Sequence, residues 1–579
     1  MRTMAPVRTE DEGTGRMAKW VEIRKGADFQ KIGQQFHISP FTARLIRNRE
    51  IRGDEEIRKY LYGTEKDLYP ACLMKGMVET VEILSQKIRE GERIRIIGDY
   101  DIDGVCASYI LLKGLSALGA AVDTDIPDRI KDGYGLNREL VDRALLAGID
   151  TILTCDNGIA AIAEIAYAKE KGMTVLVTDH HEIQQELPPA DAVVDPRQED
   201  CPYPFKKLCG AAVAWKLVGE LWRAFDFREE ALYRELMMFA AFATVGDVMD
   251  LEDENRILVR EGLKLLRTTE HPGMSALIEV NELPRERLSA FHIGFVLGPC
   301  INASGRLDTA KRALELLDTE DYSLALQRAG ALKALNDERK AMTEQGVKEG
   351  LSQIEDGPLK DDRVLVVYLP DCHESLAGII AGRIRERYYR PVFVLTRSEE
   401  GVKGSGRSIE AYSMFEEMSR CRELFVKYGG HPMAAGLSLQ EKDVEEFRRR
   451  MNENCTLTSE DLTEVERIDM VLSFRWVTES LIEELELLEP FGKGNTRPVF
   501  AVRNVRVLES RVLGKNQNML RVKLMDEEGT VMEGLYFREE MQQVLSDLQG
   551  KDRFHFLYYP EINEYRGRRQ LQARILDYC

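Results

Sequence analysis

The stretch Gly98-Asp-Tyr-Asp-Ile-Asp-Gly104 places three carboxylates on alternate residues of a short segment. It follows residues 94–97, a β-branched run that is typical of a buried strand, and it precedes residues 105–119, which are apolar at helical spacing. An α/β sheet places its active site between a strand and the helix that follows it. The stretch therefore predicts an α/β fold with an acidic site, and the simplest alternative is a solvated acidic turn.

The same spacing also resembles the start of a calcium-binding EF-hand loop. Such a loop begins D-x-D-x-D-G and ends with a bidentate Glu at its twelfth position. Counted from Asp99, the twelfth residue is Ile110, so the closing ligand is missing. A strand also precedes the loop where an EF-hand has a helix, and we therefore disfavour a calcium loop.

Length, charge and cysteine usage limit the class of protein. The chain has 579 residues, which predicts several domains, and we find no apolar run long enough to span a bilayer. The net charge of −19 argues against non-specific coating of nucleic acid but allows a local basic groove. The ten cysteines are scattered without a C-x-x-C pair, which favours reduced thiols and a cytoplasmic location over a zinc site or a disulfide framework.

The strand-and-loop pattern recurs after the first acidic stretch. Further strands are predicted at residues 121–127, 150–155 and 173–178, and the last two precede Asp156 and Asp179-His-His181. Strands that alternate with helices predict a mostly parallel sheet. Because the carboxyl ends of neighbouring parallel strands meet in one crevice, residues about 80 positions apart can form one site.

The side chains at these strand ends are metal ligands by type. Asp and His bind Mn²⁺, Mg²⁺ or Zn²⁺, and an excess of carboxylates favours Mn²⁺ or Mg²⁺. Two ions about 3.5–4 Å apart clamp the attacking and leaving oxygens of a phosphoryl displacement. Asp156 suits the bridging position, and Asp101, Asp103 and His180 suit the terminal positions. His181 is as consistent with a group that faces the substrate as with a ligand.

The rest of the chain predicts further domains. Residues 322–354 lack proline and predict one long helix, a second α/β pattern begins at residue 362, and alternating strands joined by a turn at 526–529 predict a small β-barrel of the oligonucleotide-binding (OB) type. The expected architecture is a multidomain α/β protein with a parallel-sheet catalytic domain, a long connecting helix, a second α/β domain and a C-terminal OB-like barrel. The expected boundaries are a disordered tail at 1–18, the N-terminal region and catalytic domain at 19–260, a helical connector at 261–358, the second α/β domain at 359–455 and the barrel at 465–579.

Eight motifs in fixed order carry a family resemblance. They are "GDYDIDG" (98–104), "TCDNGI" (154–159), "VTDHH" (177–181), "TVGDVMDL" (244–251), "GPCINASGRL" (298–307), "GSGRS" (404–408), "GGHPMAAG" (429–436) and "LEPFGKGNTRPVF" (488–500). Together they resemble the DHH phosphoesterase superfamily and, within it, the RecJ family of single-stranded-DNA-specific exonucleases. One such motif occurs by chance, whereas eight in order are specific.

The resemblance implies a Mn²⁺- or Mg²⁺-dependent exonuclease that uses two ions and degrades single-stranded DNA from its 5′ end to mononucleotides, in DNA repair and recombination. It implies that the second α/β domain is a DHH-associated substrate-binding domain. It implies metal ligands at Asp101, Asp103, Asp156, His180 and Asp247, and catalytic roles for Asp99 and His181. The residues implied or suggested to contact nucleic acid are Arg129, Tyr134, Arg306, Ser405, Arg407 and His431.

The loop that contains Ser405 and Arg407 has independent support as an anion site. Its flanking glycines let backbone N–H groups approach an anion, and a guanidinium grips phosphate bidentately. The resemblance makes this loop, with Arg129 and Arg306, a pocket for the 5′ end. For Arg129 the alternative is a surface ion pair with a neighbouring aspartate.

Three functions remain open at this point. The first is the exonuclease, the second is a DHH-type phosphodiesterase acting on short oligonucleotides or cyclic dinucleotides, and the third is a non-catalytic single-stranded-DNA-binding scaffold. The barrel and the length favour the first over the second, and the complete ligand set disfavours the third. For the exonuclease we expect a monomer with no membrane contact that works with a helicase and a single-strand-binding protein.

Overall fold

The computed structural model describes residues 18–129, 132–133, 135–183, 186–398, 401–514, 517–537, 541–550, 552–565 and 567–579. Residues 1–17 of the expected tail and Tyr134 lie outside the described residues. The strands are β1 (Ala18–Glu22), β2 (Arg93–Ile97), β3 (Ala121–Asp125), β4 (Thr151–Cys155), β5 (Thr174–Thr178), β6 (Ala192–Val194), β7 (Leu365–Tyr368), β8 (Val392–Ser398), β9 (Gly401–Arg407), β10 (Phe425–His431), β11 (Ala434–Leu439), β12 (Glu464–Ile468), β13 (Met470–Val471), β14 (Phe500–Leu513), β15 (Met519–Met525), β16 (Val531–Phe537), β17 (Phe554–Tyr565) and β18 (Arg568–Tyr578). The helices are α1 (Phe29–Phe36), α2 (Pro40–Asn48), α3 (Asp54–Tyr62), α4 (Met77–Glu90), α5 (Ile102–Ser116), α6 (Arg138–Leu146), α7 (Ile162–Glu170), α8 (Gly210–Ala224), α9 (Glu230–Gly246), α10 (Asp253–Thr268), α11 (Pro272–Val280), α12 (Ala290–His292), α13 (Gly298–Leu307), α14 (Lys311–Leu317), α15 (Tyr322–Glu355), α16 (Ala377–Tyr388), α17 (Met414–Ser419), α18 (Val444–Glu453), α19 (Glu479–Glu486) and α20 (Met541–Gly550).

The chain divides into two compact units. The first unit comprises residues 54–339 and 489–497, and the second comprises the described part of 1–53 together with residues 340–488 and 498–579. The long helix α15 confirms the predicted connecting helix, and the division between the units falls within it. No helix in the described ranges is both long and apolar enough to cross a membrane.

The first unit is built on a five-stranded sheet. Its order is β3-β2-β4-β5-β6, and all neighbouring strands are parallel, as the alternation of strands and helices predicts. From β2 the chain goes to β3 on one side and then to β4 on the other side. The strand order therefore reverses between β2 and β4, which is the topological switch point of the sheet. A crevice lies beyond the carboxyl ends of these two strands. Helices α5, α8 and α9 bury their apolar side chains against one another and against this sheet.

The second unit contains a mixed sheet and a closed barrel. The sheet order is β10-β11-β9-β8-β7, in which only β7 and β8 are parallel neighbours. The barrel follows the order β13-β14-β15-β16-β18-β17 and closes through pairing of β14 with β17, which confirms the predicted OB-like barrel.

The N-terminal strand belongs to the second unit. Strand β1 pairs in parallel with β12, and the Trp20 side chain packs in a buried cluster with Ile468, Ala501 and Leu557. The indole N–H of Trp20 also donates a hydrogen bond to Asp577 at 3.3 Å. Residues near the start of the chain are thereby built into a core that the C-terminal part supplies.

Candidate metal centre

The acidic loop after β2 is held in place by the start of α5. Asp101 is the N-cap residue of this helix, and its Oδ1 accepts hydrogen bonds from the backbone N–H groups of Asp103 at 2.9 Å and Gly104 at 3.1 Å. A carboxylate at this position satisfies helix N–H groups that have no partner within the helix, and it interacts favourably with the helix dipole. The N-cap position therefore fixes the Asp101 carboxylate at the start of α5, close to the carboxyl end of β2.

A second helix start fixes Asp103. The two carboxylate oxygens of this buried residue accept hydrogen bonds from the backbone N–H groups of Gly210 at 2.6 Å and Ala211 at 2.8 Å, at the first turn of α8. A Cβ at Gly210 would lie 2.7 Å from the Cβ of Asp156 and 2.9 Å from its Cα. Position 210 therefore requires glycine, because the backbone must approach both aspartates. Our sequence analysis missed Gly210. The only local indication of its role is that α8 begins with the small residues Gly-Ala-Ala.

His180 lies among the carboxylates of three different segments. Its Nε2 is 3.0 Å from Asp156 Oδ1, 3.5 Å from Asp103 Oδ2 and 3.9 Å from Asp247 Oδ2. Burial lowers the pKa of His180, which favours the neutral imidazole that binds metal ions. The structure thus brings together residues that the sequence placed at the ends of β2, β4 and β5 with Asp247, which the family resemblance implied.

Burial and mutual repulsion act on the acidic members of this group. Burial raises the pKa of Asp99, Asp101 and Asp156 above its usual value, and the charges of neighbouring aspartates raise it further. The same causes raise the pKa of Asp247 to about 8. Among the described residues, the buried Oδ1 of Asp99 has no hydrogen-bond partner. A site with this much unbalanced negative charge fits bound cations.

The ligand atoms form three overlapping sets that suit metal ions. In each set the candidate ligand atoms lie within 4.8 Å of one another: Asp156, His180 and His181; Asp103, His180 and Asp247; and Asp99, Asp101 and Asp156. Asp156 and His180 each belong to two of the three sets. Shared residues of this kind fit two adjacent ions, and carboxylates in excess of imidazoles fit Mn²⁺ or Mg²⁺.

His181 is oriented by Asp179. The Nδ1 of His181 lies 2.7 Å from Asp179 Oδ1, and the two histidine rings are 4.4 Å apart. Although burial opposes it, the hydrogen bond and charge of Asp179 raise the pKa of His181 to about 9. Asp179 also accepts a hydrogen bond from the Ile159 N–H at 2.9 Å, which anchors the carboxylate. Sequence analysis identified Asp179 as part of a cluster but missed its role in positioning His181.

Backbone strain accompanies two of the candidate ligands. Asp156 has φ +60°, and Val248, which follows Asp247, has φ +56°. The left-handed region is unfavourable for a β-branched residue such as valine. Strain of this kind persists only where surrounding contacts enforce it, and it clusters at functional sites.

Two of the predicted phosphate contacts lie beside the acidic loop in the first unit. The guanidinium of Arg129 lies 4.8 Å from the ring centroid of Tyr100, so this side chain stacks on the loop. Burial and the charges of Arg129 and Arg339 lower the pKa of Arg306 to about 10. Helix α13, which carries Arg306, contacts the loop through Asn302, whose Oδ1 accepts the Ile102 N–H at 2.8 Å. These arginines place positive charge where a phosphate near the metal centre would need it.

The other predicted phosphate contacts lie in the second unit. Ser405 and Arg407 lie on strand β9, between β8 and β11, and the predicted anion-binding loop is therefore wrong, because the backbone of a central strand is paired on both sides. With His431 they fall on one face of the sheet, since Arg407 pairs with Ala434 and Ala434 with His431. Burial and the charge of Arg385 lower the pKa of Arg407, whose Nη1 donates a hydrogen bond to the Gly406 carbonyl at 2.8 Å. A largely buried guanidinium next to a second cation is a favourable place for an anion.

The charge balance of the cluster leads to a stability prediction. We expect saturating Mn²⁺ to raise the melting temperature by roughly 5 °C or more over protein in EDTA, because a ligand that binds only the folded state stabilises it. The gain should be larger at about pH 8 than at about pH 6, because the raised pKa values let protons compete with metal at the lower pH. Thermal unfolding in EDTA and in MnCl₂ at both pH values measures this. An unchanged melting temperature at pH 8 would contradict the metal assignment.

Comparison with known proteins identifies the family. Residues 93–244 match the model of the DHH family N-terminal domain, residues 361–456 match the DHHA1 domain, and residues 468–577 match the RecJ OB domain. The RecJ single-stranded-DNA-specific exonuclease of Escherichia coli is 34% identical, with 96% of this chain and 99% of that protein covered. The chain belongs to the RecJ family.

Further RecJ relatives agree with this placement. The RecJ single-stranded-DNA-specific exonuclease of Bacillus subtilis is 36% identical, with 96% of this chain and 70% of that protein covered. A crystal structure of Thermus thermophilus RecJ in complex with Mn²⁺ superposes with a TM-score of 0.83 at 29% identity and covers 97% of this chain and 79% of that chain. The Thermus protein was also solved with Mg²⁺. The RecJ fold thus accommodates both ions that the carboxylate-rich cluster favours.

Proposed function

We propose that this RecJ-family chain is a Mn²⁺- or Mg²⁺-dependent exonuclease that degrades single-stranded DNA from its 5′ end to mononucleotides, in DNA repair and recombination. The observation that carries the proposal is the cluster of five aspartates and two histidines at the switch point of the parallel sheet. Four of its members, Asp99, Asp103, Asp156 and His180, are buried. The named RecJ exonucleases among its relatives support the substrate class. The 5′ polarity and the residue roles are what the resemblance of the motifs to the RecJ family implies.

Several side chains would hold the metal ions and keep the ligands in their reactive geometry. When bound, two ions would supply Lewis-acid stabilisation to the phosphodiester that is cleaved. Asp101, Asp103, Asp156, His180 and Asp247 would hold these ions. Gly210 and the N-cap geometry of α5 keep the carboxylates in place before metal binds, which reduces the rearrangement needed during the reaction.

Two residues would act on the substrate side of the cluster. The contact with Asp179 raises the pKa of His181 to about 9 in the metal-free chain, and a ring N–H of His181 would donate a hydrogen bond to the scissile phosphate. Asp179 fixes the orientation of this ring through Nδ1. Asp99, whose Oδ1 is buried without a partner among the described residues, would interact with a metal ion or with a water bound to it.

The alternatives are less well supported. A phosphodiesterase for short oligonucleotides or cyclic dinucleotides does not account for the OB domain that the chain carries. A non-catalytic scaffold does not account for an intact carboxylate and histidine cluster.

One digestion experiment tests both polarity and strand preference. Full-length protein is incubated with Mn²⁺ or Mg²⁺ and single strands labelled at the 5′ or the 3′ end, and with blunt, 5′-overhang and 3′-overhang duplexes. We expect the 5′ label to appear first as a mononucleotide, and digestion of a 5′ overhang to slow near the duplex junction. Early release of the 3′ label would overturn the polarity, and equal digestion of blunt and 5′-overhang duplexes would overturn the strand preference.

The 5′-phosphate pocket leads to a separate prediction. We expect Arg407→Gln to weaken engagement of a 5′-phosphorylated strand by about 10- to 100-fold, because a hydrogen-bonded contact to a charged group contributes roughly 1.5–3 kcal/mol. The rate of cleavage at limiting substrate measures the loss. Arg420→Gln is the matched control, because Arg420 is exposed and paired with Glu417 in the same unit. Equal cleavage rates for the two variants would show that Arg407 does not contact the 5′ phosphate.

We also propose protein partners and a cellular location for this chain from the chemistry of the reaction. An enzyme restricted to unpaired strands needs a helicase to open duplex DNA and encounters strands coated by a single-strand-binding protein. All ten cysteines are free, which is consistent with a reducing cytoplasm.

A further inference from the structure

Two phenylalanine side chains lie next to each other in solvent on the first unit. Phe291 is 61% exposed and Phe295 is 68% exposed. Their rings stack, with centroids 4.9 Å apart and planes inclined by 25°. A single exposed apolar side chain is normal, whereas adjoining aromatic rings in solvent indicate a surface that binds a ligand.

The two rings are carried by an irregular part of the helical region. Phe291 lies in α12, and Phe295 lies in a π-helical turn, Ile293–Leu297, that joins α12 to α13. Single π-helical turns are rare and are found frequently at functional sites. The local backbone therefore also indicates that this segment has a function.

This π-helical turn packs against two segments of the candidate metal centre. A Cβ at Gly294 would lie 3.9 Å from Val245 Cγ1, and a Cβ at Gly298 would lie 3.1 Å from Ile102 Cδ1. Val245 is two residues before the candidate ligand Asp247, and Ile102 lies between two further candidate ligands. The exposed rings thus stand on a segment that is in contact with the supports of the metal ligands.

The surface around the rings offers no charge to a ligand. Residues 289–299 contain no Asp, Glu, Lys or Arg. Such a surface does not suit phosphate, but it suits the flat face of a nucleic acid base, which stacks on aromatic side chains whatever its sequence. A single strand with a phosphodiester at the metal centre brings bases close to this surface. Bases of the substrate are therefore the ligand that the position and chemistry of the rings favour.

The distance between the rings decides how a base can bind. A base between two rings needs them about 7 Å apart, which is twice the contact distance between carbon atoms. The centroids are 4.9 Å apart, so the rings stack on each other and leave no gap. A base would then extend the stack on its outer face. Because the stack is already formed, little side-chain freedom is lost when a base binds.

We propose that Phe291 and Phe295 form a stacking platform for a base of the single strand, next to the phosphodiester that lies at the metal centre. The proposal rests on the proposed function, since it takes single-stranded DNA as the ligand. The platform holds the strand by a base instead of a phosphate and does not distinguish one base from another.

Cleavage of a short oligothymidylate by the full chain with Mn²⁺, at limiting substrate, tests the platform. We expect Phe295→Ala to lower the rate about 5- to 100-fold, the range for the loss of one base stacked on an aromatic ring. Phe295→Tyr should keep the rate because it keeps the ring, and Phe291→Ala should lower it because Phe291 supports the stack. The melting temperature in EDTA and its rise with Mn²⁺ should stay unchanged, since both side chains are in solvent.

Leu146→Ala is the matched control in the same unit. Leu146 is 89% exposed at the end of α6. The carbonyl of the next residue, Ala147, accepts a hydrogen bond from Arg93, the first residue of β2, so Leu146 lies at the amino end of the sheet, away from the metal centre. This variant should cleave like the wild type. Equal rates for Phe295→Ala and Leu146→Ala would overturn the platform.

Strands with abasic nucleotides at the 5′ end separate stacking from a structural role of the ring. Such strands keep their phosphates but offer no base to the platform. We expect the wild type to cleave them more slowly than intact strands, and Phe295→Ala to make little further difference. If Phe295→Ala lowers the rate by the same factor on both strands, the ring does not stack on a base and the proposal is wrong.

Two further results have distinct meanings. If the wild type self-associates and Phe295→Ala abolishes this without changing cleavage, the rings form a contact between chains and the base platform is overturned. If the wild type does not digest single strands at all, the proposed function itself is wrong. Digestion by the wild type together with control-like rates for both phenylalanine variants would contradict the platform alone.

Discussion

Asp156→Asn is expected to lower Mn²⁺-dependent digestion of single-stranded DNA by about 1,000-fold, which corresponds to about 4 kcal/mol of activation free energy. Asp156 belongs to two of the three ligand sets, so its loss affects both proposed ions. Asparagine has nearly the same shape, so the close packing against Gly210 is retained. Single-turnover cleavage of a 5′-labelled strand measures the change, and a rate close to that of the wild type would contradict the assignment of two ions.

The same variant should be more stable than the wild type without metal. Burial and neighbouring aspartates raise the pKa of Asp156, so the folded state binds a proton more tightly than the unfolded state. Such a carboxyl lowers stability as the pH rises from the unfolded pKa of about 4 towards the folded pKa, and asparagine removes that loss. In EDTA at neutral pH we therefore expect a higher melting temperature for Asp156→Asn, with unchanged affinity for single strands. Asp142→Asn, an exposed substitution in the same unit, is the control and should change none of these values.

Gly210→Ala is expected to reduce cleavage by about 100-fold, the size of effect that a displacement of about 1 Å can have on a catalytic group. The added methyl group would lie 2.7 Å from the Cβ of Asp156, a distance that forces one backbone segment to move. Movement of α8 would also lengthen the hydrogen bond from the Gly210 N–H to Asp103. Both displaced side chains are candidate ligands, so we expect weaker Mn²⁺ binding as well as slower cleavage.

Gly330→Ala is the matched control for this substitution. Gly330 lies within α15, and a Cβ there would meet no atom within 4 Å. Replacement of glycine in a helix by alanine stabilises by about 1 kcal/mol, so the control should keep full activity and gain a little stability. Wild-type metal affinity and activity in Gly210→Ala would show that position 210 does not fix the cluster.

The strand ends of the first sheet could be predicted from the sequence, because hydrophobic runs and the loops that interrupt them are local signals. Parallel pairing then brings Asp101, Asp156 and His180 to one edge without further information. The contact of Gly210 with Asp103 could not be predicted, since it joins residues 107 positions apart through backbone groups that leave no pattern in the sequence. The orientation of His181 by Asp179 depends on a loop conformation that residue types alone do not specify.

The pairing of β1 with β12 sets a constraint on how the chain folds during synthesis. Ala18 pairs with Glu464, so a further 446 residues must be translated after Ala18 before its partner has been made. At about 5–20 residues per second this takes roughly 20–90 s. Throughout that interval Trp20 and the hydrogen-bonding groups of β1 lack the core that finally buries them, whereas the first unit can begin to fold as its own strands emerge. We therefore expect this segment to stay exposed until synthesis is nearly complete, so the yield of folded protein in a cell should rise with chaperone capacity.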